Sequence, residues 1–460
     1  MSTATPAPIV MKFGGAALAD GVGIGRVGAI LRARGGERPV AVVSAAQGVT
    51  ELLLSVAAAA AAGRQELERV RVRHRTLLSQ CGLDQELLNR LLSELAAVLA
   101  GIRARQAITP AERDFVLSFG ERMSARVVAA SLRASGHAAT PVDAFDLGLL
   151  SDSNHGSARP IAGQSAAIRR ALADVPGIPV VTGFLAKDAA GNLTTLGRNG
   201  SDLSASLLGE AAQAREVQFW KVVVGVMSAD PGLVPAAQRL AKLSYALAAE
   251  YAFRGANVLH PGALEPLERA NIPARVLSVH EQDGAGTLID RDGSLPRTGA
   301  VGVTVRRGVA LVHVELDAVD ENVARVSELC ARIARAQLEL LWLVGGAREV
   351  EIALVWSDEA ALFFSAGSER VRLERGLAVA ALVGPSPAQS AAARGALELA
   401  GIPLRAQWAA SGTGSTLFAI DEAQIAPALR SLHAAVFELP EAADDHRPLF
   451  SASTASARAG

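Results

Sequence analysis

The chain is 460 residues long, past the size at which one hydrophobic core stays single, so about two to four domains are expected. Half of its residues are apolar and only 4% aromatic, which leaves the packing to Ala, Val and Leu. With 45 basic and 46 acidic residues interspersed, the net charge of −1 offers no charged face to a nucleic acid or a membrane surface.

Met1 to Pro8 lacks a basic stretch leading into an apolar one, and reads as a short disordered leader rather than a secretory signal. No run approaches the ~20 apolar residues that a bilayer needs. The alanine-rich Ala57–Ala62 stops at Arg64 and Glu66, so a cytoplasmic protein is expected. Cys81 and Cys330 are far apart without metal-ligand spacing, and are expected to be small buried hydrophobes in a reducing compartment.

Ile9–Phe13 is a β-type run that ends in Gly14-Gly15, and Pro39–Val43 is a second that ends at Ser44-Ala45. Pro179–Phe184 and Val217–Trp220 are further strands. Continuous apolar runs suit a mainly parallel sheet buried on both faces. Between them lie Ala/Leu/Arg helices around Ser55–Ala100 and Arg113–Gly136, which gives an α/β sandwich by pattern. After Gly286–Ile289 the rhythm changes. Val309–Leu316, Val323–Ala336 and Glu349–Trp356 read as strand, helix and strand, and Leu377–Val383, Gln389–Ala400 and Thr416–Asp421 repeat them. Two such units suggest tandem ferredoxin-like βαββαβ modules for binding or assembly, because no cluster of reactive side chains falls in them.

Four segments carry chemistry. Lys12-Phe13-Gly14-Gly15 ends a buried strand, where two glycines let amides approach an anion and Lys12 adds a point charge; an ordinary tight turn reads the same. Ser44-Ala45-Ala46-Gln47-Gly48-Val49-Thr50 offers small hydroxyls to a phosphate or carboxylate, or simply caps the next helix. In Ser118-Phe119-Gly120-Glu121-Arg122-Met123-Ser124-Ala125, Glu121 is expected to open a helix, where it either favours the helix N-terminus or binds an ammonium group. Most specific is Thr194-Thr195-Leu196-Gly197-Arg198-Asn199-Gly200-Ser201-Asp202, before the helix Leu203–Ala212. Ser201 or Asp202 is expected to cap that helix, Arg198 to offer a fork to a carboxylate, and Asp202 to orient lysines around a transferred phosphoryl group.

In this order and spacing the four segments resemble the aspartate kinases of the amino-acid-kinase family. The resemblance continues through Val180–Phe184, Ser228-Ala229-Asp230-Pro231 and Gly255-Ala256-Asn257-Val258-Leu259-His260-Pro261, and the two repeats resemble that family's paired ACT domains. It implies a three-layer α/β/α sandwich at 9–295, ACT-like modules at 296–375 and 376–440, and a flexible tail at 441–460 after the 1–8 leader. It also implies phosphorylation of the side-chain carboxylate of L-aspartate to 4-phospho-L-aspartate, with ATP and Mg2+ as cofactors and a homodimer formed through the ACT domains. By resemblance Lys12 and the Gly14 and Gly15 amides hold phosphates, and Asp202 organises the reacting centre. Ser44, Thr50, Glu121, Phe184, Arg198 and Ser201 hold the aspartate, with Arg198 on a carboxylate and Glu121 nearer the ammonium. Lys221, Asp230 and Asn257 complete the nucleotide side, and no residue set is assigned to a metal.

The nucleotide side departs from the family pattern. Where a Thr-Asp-Val-Asp-Gly-Val-Tyr stretch is usual, the chain reads Lys221-Val222-Val223-Val224-Gly225-Val226-Met227. Gly232 replaces an arginine, Asn257 a lysine, and Ala16-Ala17 a Thr-Ser pair. Lys221 is expected to reach into the space of the missing lysine, and burial of Val222, Val223 and Val224 would make the cleft apolar. The ACT-like half departs as well, with Asp320-Glu321-Asn322 at its first helix and Gly412-Thr413-Gly414-Ser415-Thr416 in its second repeat. Three functions stay open: an aspartate kinase with an altered nucleotide site, a catalytically silent paralogue that binds aspartate or a related amino acid and regulates a partner, and a repurposed transferase acting on an aspartate-like substrate.

Overall fold

The computed structural model describes residues 7–256, 258–293, 300–315, 322–346, 348–365, 370–409 and 414–438. Most of the expected leader, the tail, Asn257, Leu316, Asp320, Glu321, Gly412 and Thr413 lie outside the described residues. The chain opens with β1 (Ile9–Phe13), α1 (Gly21–Ala33), β2 (Pro39–Val43), α2 (Val49–Ala61), α3 (Leu67–Gln80), α4 (Asn89–Arg105), α5 (Pro110–Ala134), β3 (Ala139–Val142) and α6 (Ser165–Ala173). It continues with β4 (Ile178–Thr182), β5 (Leu185–Lys187), β6 (Leu193–Thr195), α7 (Gly200–Ala212), β7 (Glu216–Lys221), β8 (Lys242–Ser244), α8 (Tyr245–Phe253), α9 (Pro261–Ala270), β9 (Ala274–Ser278) and β10 (Thr287–Asp290).

Eight of these strands form one sheet in the order β3-β4-β2-β1-β7-β9-β10-β8, parallel except where β9 meets β10. Every residue of β1 and β2 is buried, as a strand covered on both faces requires. Alternation along β1 divides the layers. Ile9, Met11 and Phe13 pack against α1 to α5, while Val10 packs against α6, α7, α8 and α9. The α/β/α sandwich is therefore as expected. β1 lies between β2 and β7, so the chain's connections diverge there and leave a crevice at the carboxyl ends of these strands.

The rest of the described chain is β11 (Gly302–Glu315), α10 (Asn322–Arg335), β12 (Leu340–Gly345), β13 (Glu349–Val355), α11 (Asp358–Ser365), β14 (Val371–Val383), α12 (Pro387–Leu399), β15 (Ala406–Ala409), β16 (Thr416–Asp421) and α13 (Ile425–His433). Its strands make a single antiparallel sheet, β12-β13-β11-β14-β16-β15. The register explains how two modules share it. Val309–Glu315 pairs with β13, and its partner Val371–Glu374 closes a first strand-helix-strand-strand-helix-strand unit in chain order. Gly302–Arg306 pairs with Val379–Val383, so the start of β11 supplies the sixth element, and fourth strand, of the second unit. The expected boundary at 375/376 falls inside β14.

Two expectations need correction. Pro179–Phe184 leaves the sheet at Thr182, because Phe184 takes a left-handed backbone (φ 67°). Cys330 is exposed on α10 and Cys81 only half-buried, so neither is the buried hydrophobe expected. Among the described residues no helix is long and apolar enough to cross a membrane.

β11 docks on the N-terminal sandwich. Val303 N donates to Ser228 O at 2.7 Å, and Thr304 Oγ1 donates to Arg254 O at 2.9 Å. Ser228 Oγ and His433 Nε2 of α13, both buried, lie 2.9 Å apart. The approach is close enough to demand glycine at 255, which has φ 122° and where a Cβ would lie 2.4 Å from Val305 O. Gly255→Ala is therefore expected to destabilise the chain by roughly 1–3 kcal/mol or more, read as a lower urea midpoint.

Candidate active site

Strand alternation places the first charges. Lys12 shares a face of β1 with Val10, and Lys221 shares a face of β7 with Phe219; Val10 and Phe219 both pack toward α7. Both lysines therefore reach the first turn of α7, where Asp202 is buried. Lys12 Nζ lies 2.7 Å from Asp202 Oδ1 as an ion pair, at an angle that leaves this oxygen without a directed hydrogen bond. Lys221 Nζ donates to Asp202 Oδ2 at 3.1 Å. Burial alone would raise the Asp202 pKa, but the two ammonium groups outweigh it and hold the carboxyl below the usual carboxylate range. Burial pulls the Lys221 ammonium down, and Asp202 offsets part of that. Lys221 thus reaches Asp202 from β7. Asp202 and Ser201 do not cap α7: the helix starts earlier, at Gly200, with Asn199 as N-cap in a left-handed conformation.

The loops after β1 and β2 are held together. Gln47 N donates to Gly15 O at 3.1 Å, and Ser44 N donates to Phe13 O at 3.2 Å. A Cβ on Gly14 would stand 3.5 Å from Lys12 Nζ, and one on Gly15 would run into Ala45 O at 2.7 Å. Thr50 is half-buried in the first turn of α2.

Glu121 does not open a helix. The capping box of Thr109 and Glu112, with Pro110 in the first turn, starts α5 well before it, so face rather than helix dipole sets its place. Asp114, Ser118, Glu121 and Ser124 recur at i, i+4, i+7 and i+10, one buried stripe that faces the loops. The Ala45 amide bonds to the Glu121 carboxyl, and Ala46 N donates to Ser124 Oγ at 3.0 Å. Burial pushes Glu121 up to about 7, only partly countered by that amide and by Lys12.

Asp114 is a functional-site residue that sequence reasoning missed. Fully buried, it accepts from Thr195 Oγ1 at 2.8 Å, Thr195 N at 3.1 Å, Gly156 N at 3.0 Å, and pairs with His155 Nδ1 at 3.0 Å. It thereby ties β6, which leads into Arg198, to the loop 153–157. The polar stripe at helical spacing was the available signal. Phe184 packs beside this turn, with its N–H donating to Ser204 Oγ at 2.9 Å.

Arg198 is exposed and, among the described residues, forms no ion pair; it faces a cavity of about 720 Å3. That cavity lies between the N-terminal sandwich and the C-terminal sheet. Val222, Val223 and Val224 line it at 49%, 41% and 37% exposure, so they form its wall and are not buried as expected. Asp230 lines the cavity away from the two lysines and accepts from Gly232 N at 2.9 Å. The structure thus brings together Lys12, Asp202 and Lys221, with Glu121 close enough to feel Lys12, and sets Arg198 and Asp230 around the adjoining cavity.

The amino acid kinase family model matches residues 7–278. Lysine-sensitive aspartokinase 3 of Escherichia coli K12 is 30% identical over 397 residues, covering 82% of this chain and 87% of that protein. Chloroplastic aspartokinase 3 of Arabidopsis thaliana is 33% identical over 317 residues, 66% of this chain; the chain spans 57% of that protein, little more than half its length. The crystal structure of E. coli aspartokinase III in complex with aspartate and ADP superposes with a TM-score of 0.80 at 27% identity, covering 94% of this chain and 100% of that one.

The raised Glu121 makes a stability prediction. Folded, it titrates near 7 against an ordinary 4.5, so the folded chain holds the extra proton between these values and loses stability as pH rises through them. Above pH 7 the loss is complete, on the order of 3 kcal/mol. Glu121→Gln is expected to raise unfolding stability by up to ~3 kcal/mol at pH 8 and to change little at pH 4, with chemical denaturation at both values as the measurement.

Proposed function

We propose, from the premise that this chain belongs to the amino acid kinase family and within it to the aspartokinases, that it phosphorylates the side-chain carboxylate of L-aspartate to give 4-phospho-L-aspartate. The observation that carries this reading is the buried Lys12–Asp202–Lys221 trio at the carboxyl end of β1, in the crevice where β2 and β7 diverge. Two ammonium groups on one carboxylate leave a surplus positive charge in a site of low polarity. That is what a transferring phosphoryl group, with negative charge on its outer oxygens, requires. Asp202 stays ionised between its partners, so its role is to orient the lysines rather than to move a proton.

Glu121 supports an amino-acid substrate. A carboxyl that burial holds half-protonated near pH 7 suits the ammonium group of aspartate, which would draw it to the ionised form. Arg198 supplies a fork for a substrate carboxylate, and Ser44, Thr50 and Ser201 lend hydroxyls around it. Phe184, held by Ser204 and by Leu196 N, packs against the turn that carries these groups.

ATP with Mg2+, when bound, supplies the phosphoryl group and the divalent charge that offsets its oxygens. The phosphate end of the site fits such a group. Lys12, Lys221 and the Gly14 turn face it, and Asp202 Oδ1 is a buried acceptor with no hydrogen bond of its own. Asp230 and the segment of Asn257 belong to the same reading on the nucleotide side. The far end is built differently, because Val222, Val223 and Val224 can cover a flat ring but accept nothing from a ribose hydroxyl. This wall favours one alternative, a silent paralogue that binds aspartate without a nucleotide. Cytoplasmic residence and a homodimer joined at the edges of the C-terminal sheet complete the proposal.

Hydroxamate trapping with aspartate and Mg-ATP tests it. Wild-type protein is expected to form aspartyl hydroxamate, and Lys12→Ala to lose roughly 100- to 1,000-fold in kcat. Lys221→Ala is expected to fall similarly, whereas Arg198→Ala is expected to raise the aspartate KM more than it lowers kcat. No product with any nucleoside triphosphate, from protein that binds aspartate calorimetrically, would leave the silent paralogue.

A further inference from the structure

The cavity beside the two lysines has a second wall that belongs to the C-terminal sheet. Val303, Val305, Arg306 and Arg307 of β11 face Val222–Val224 across it. β11 is not free to drift there, because Val303 N is bonded to Ser228 O and Thr304 Oγ1 to Arg254 O, immediately before Arg306. The cations available to this cavity can be counted. Residues 222–238 contain no Lys or Arg, and Lys221 is not among the residues that line this cavity. Arg198 enters from one side, and Arg306 and Arg307 from the other.

Arg306 is the informative one. Its guanidinium forms an ion pair with Glu339, yet its Nε is buried with no hydrogen-bond partner. Burial, and then the positive charge of Arg198, hold Arg306 below the ordinary arginine value, so the two guanidinium groups are near enough to repel. Two like charges around one cavity, one of them with an unused donor, are relieved by an anion between them. A cavity of about 720 Å3 is nucleotide-sized, and an amino acid alone would leave its apolar floor uncovered.

We infer that Arg306, carried by the C-terminal sheet, binds the phosphate chain of a nucleoside di- or triphosphate lying on the Val222–Val224 wall, opposite Arg198. This rests on the nucleotide-donor reading above. The consequence is that a residue outside the N-terminal sandwich sets donor specificity. A nucleoside without phosphates gains only the valine wall, whereas a nucleotide gains Arg306 as well, provided that β11 stays docked.

Calorimetry on the full chain, with ADP and adenosine as paired probes, tests this. Arg306→Ala is expected to weaken ADP about 10- to 100-fold and to leave adenosine within about twofold. Because that variant frees Glu339, the double variant Arg306→Ala/Glu339→Gln is measured beside it and is expected to show the same selective loss. Arg306→Lys, which keeps the charge but not the fork, is expected to recover part of it. Aspartate affinity reports that each variant is folded. An unchanged ADP affinity in the double variant, or equal losses for ADP and adenosine, overturns the assignment and leaves the donor reading intact. Wild-type protein that binds aspartate but neither probe overturns both. ADP binding without hydroxamate formation removes the kinase reading alone, and the variants then still decide for or against Arg306.

Discussion

A carboxylate removed from water between two ammonium groups sets the terms for the rest of the structure. Burying Asp202 costs several kcal/mol unless close, well-placed charge offsets it, and Lys12 and Lys221 do so from two different strands. That requires β1 and β7 to be neighbours with the faces that carry Lys12 and Lys221 toward α7, and it requires α7 to begin at Gly200 so that Asp202 falls in its first turn. The local cost appears in the left-handed backbones of Asn199 and Phe184, two non-glycine residues in strained conformations beside the same turn. Phe184 is kept there by bonds to Ser204 Oγ and from Leu196 N.

The opposite wall carries the complementary mismatch. The Lys12–Asp202–Lys221 trio holds surplus positive charge, while α5 holds an acid that is too buried to ionise fully at neutral pH. Each end is unsatisfied on its own, and a molecule with an anionic group at one end and a cationic group nearby satisfies both. Burial raises the Glu121 pKa, so an ionised carboxylate there is held at a cost to the folded chain. Ser124 and Asp114 on the same stripe are fully satisfied, and they fix the loops that must present the remaining contacts.

The sandwich was legible because buried parallel strands are continuous apolar runs, and Ile9–Phe13 and Pro39–Val43 begin and end where the sequence puts them. Lys12 and Asp202 were legible through motif order, and Lys221 through a departure from it. Three features were not. Glu121 was misplaced to a helix start because the capping signal at Thr109-Pro110 lies several turns upstream of the motif. Asp114 was passed over because a lone acid near a helix start looks solvated, and only its three polar companions at helical spacing mark it as inward-facing. The valines at 222–224 look like core in sequence, and their exposure depends on a cavity whose other wall comes from residues 303–307, a partner that no local pattern reveals.

That long-range wall also ties the two halves of the chain energetically. The segment after β7 is bonded to other parts of the fold as well as within itself: Ser228 to Val303 and His433, and Met227 O to the Tyr251 hydroxyl at 2.6 Å. Ser415 Oγ donates to Glu250 on α8 at 2.6 Å, which fixes the second repeat to the helix that carries Tyr251. A displacement of the C-terminal sheet therefore cannot leave the valine wall where it is, because the buried Ser228–His433 contact and the Val303 bond would both have to break or follow. Coupling of this kind is reciprocal: whatever fills the cavity must also favour the docked position of β11, by the same free energy with which docking favours the ligand. The close packing at Gly255 then has a function beyond stability, since it holds the second wall at the distance at which a bound molecule can touch both.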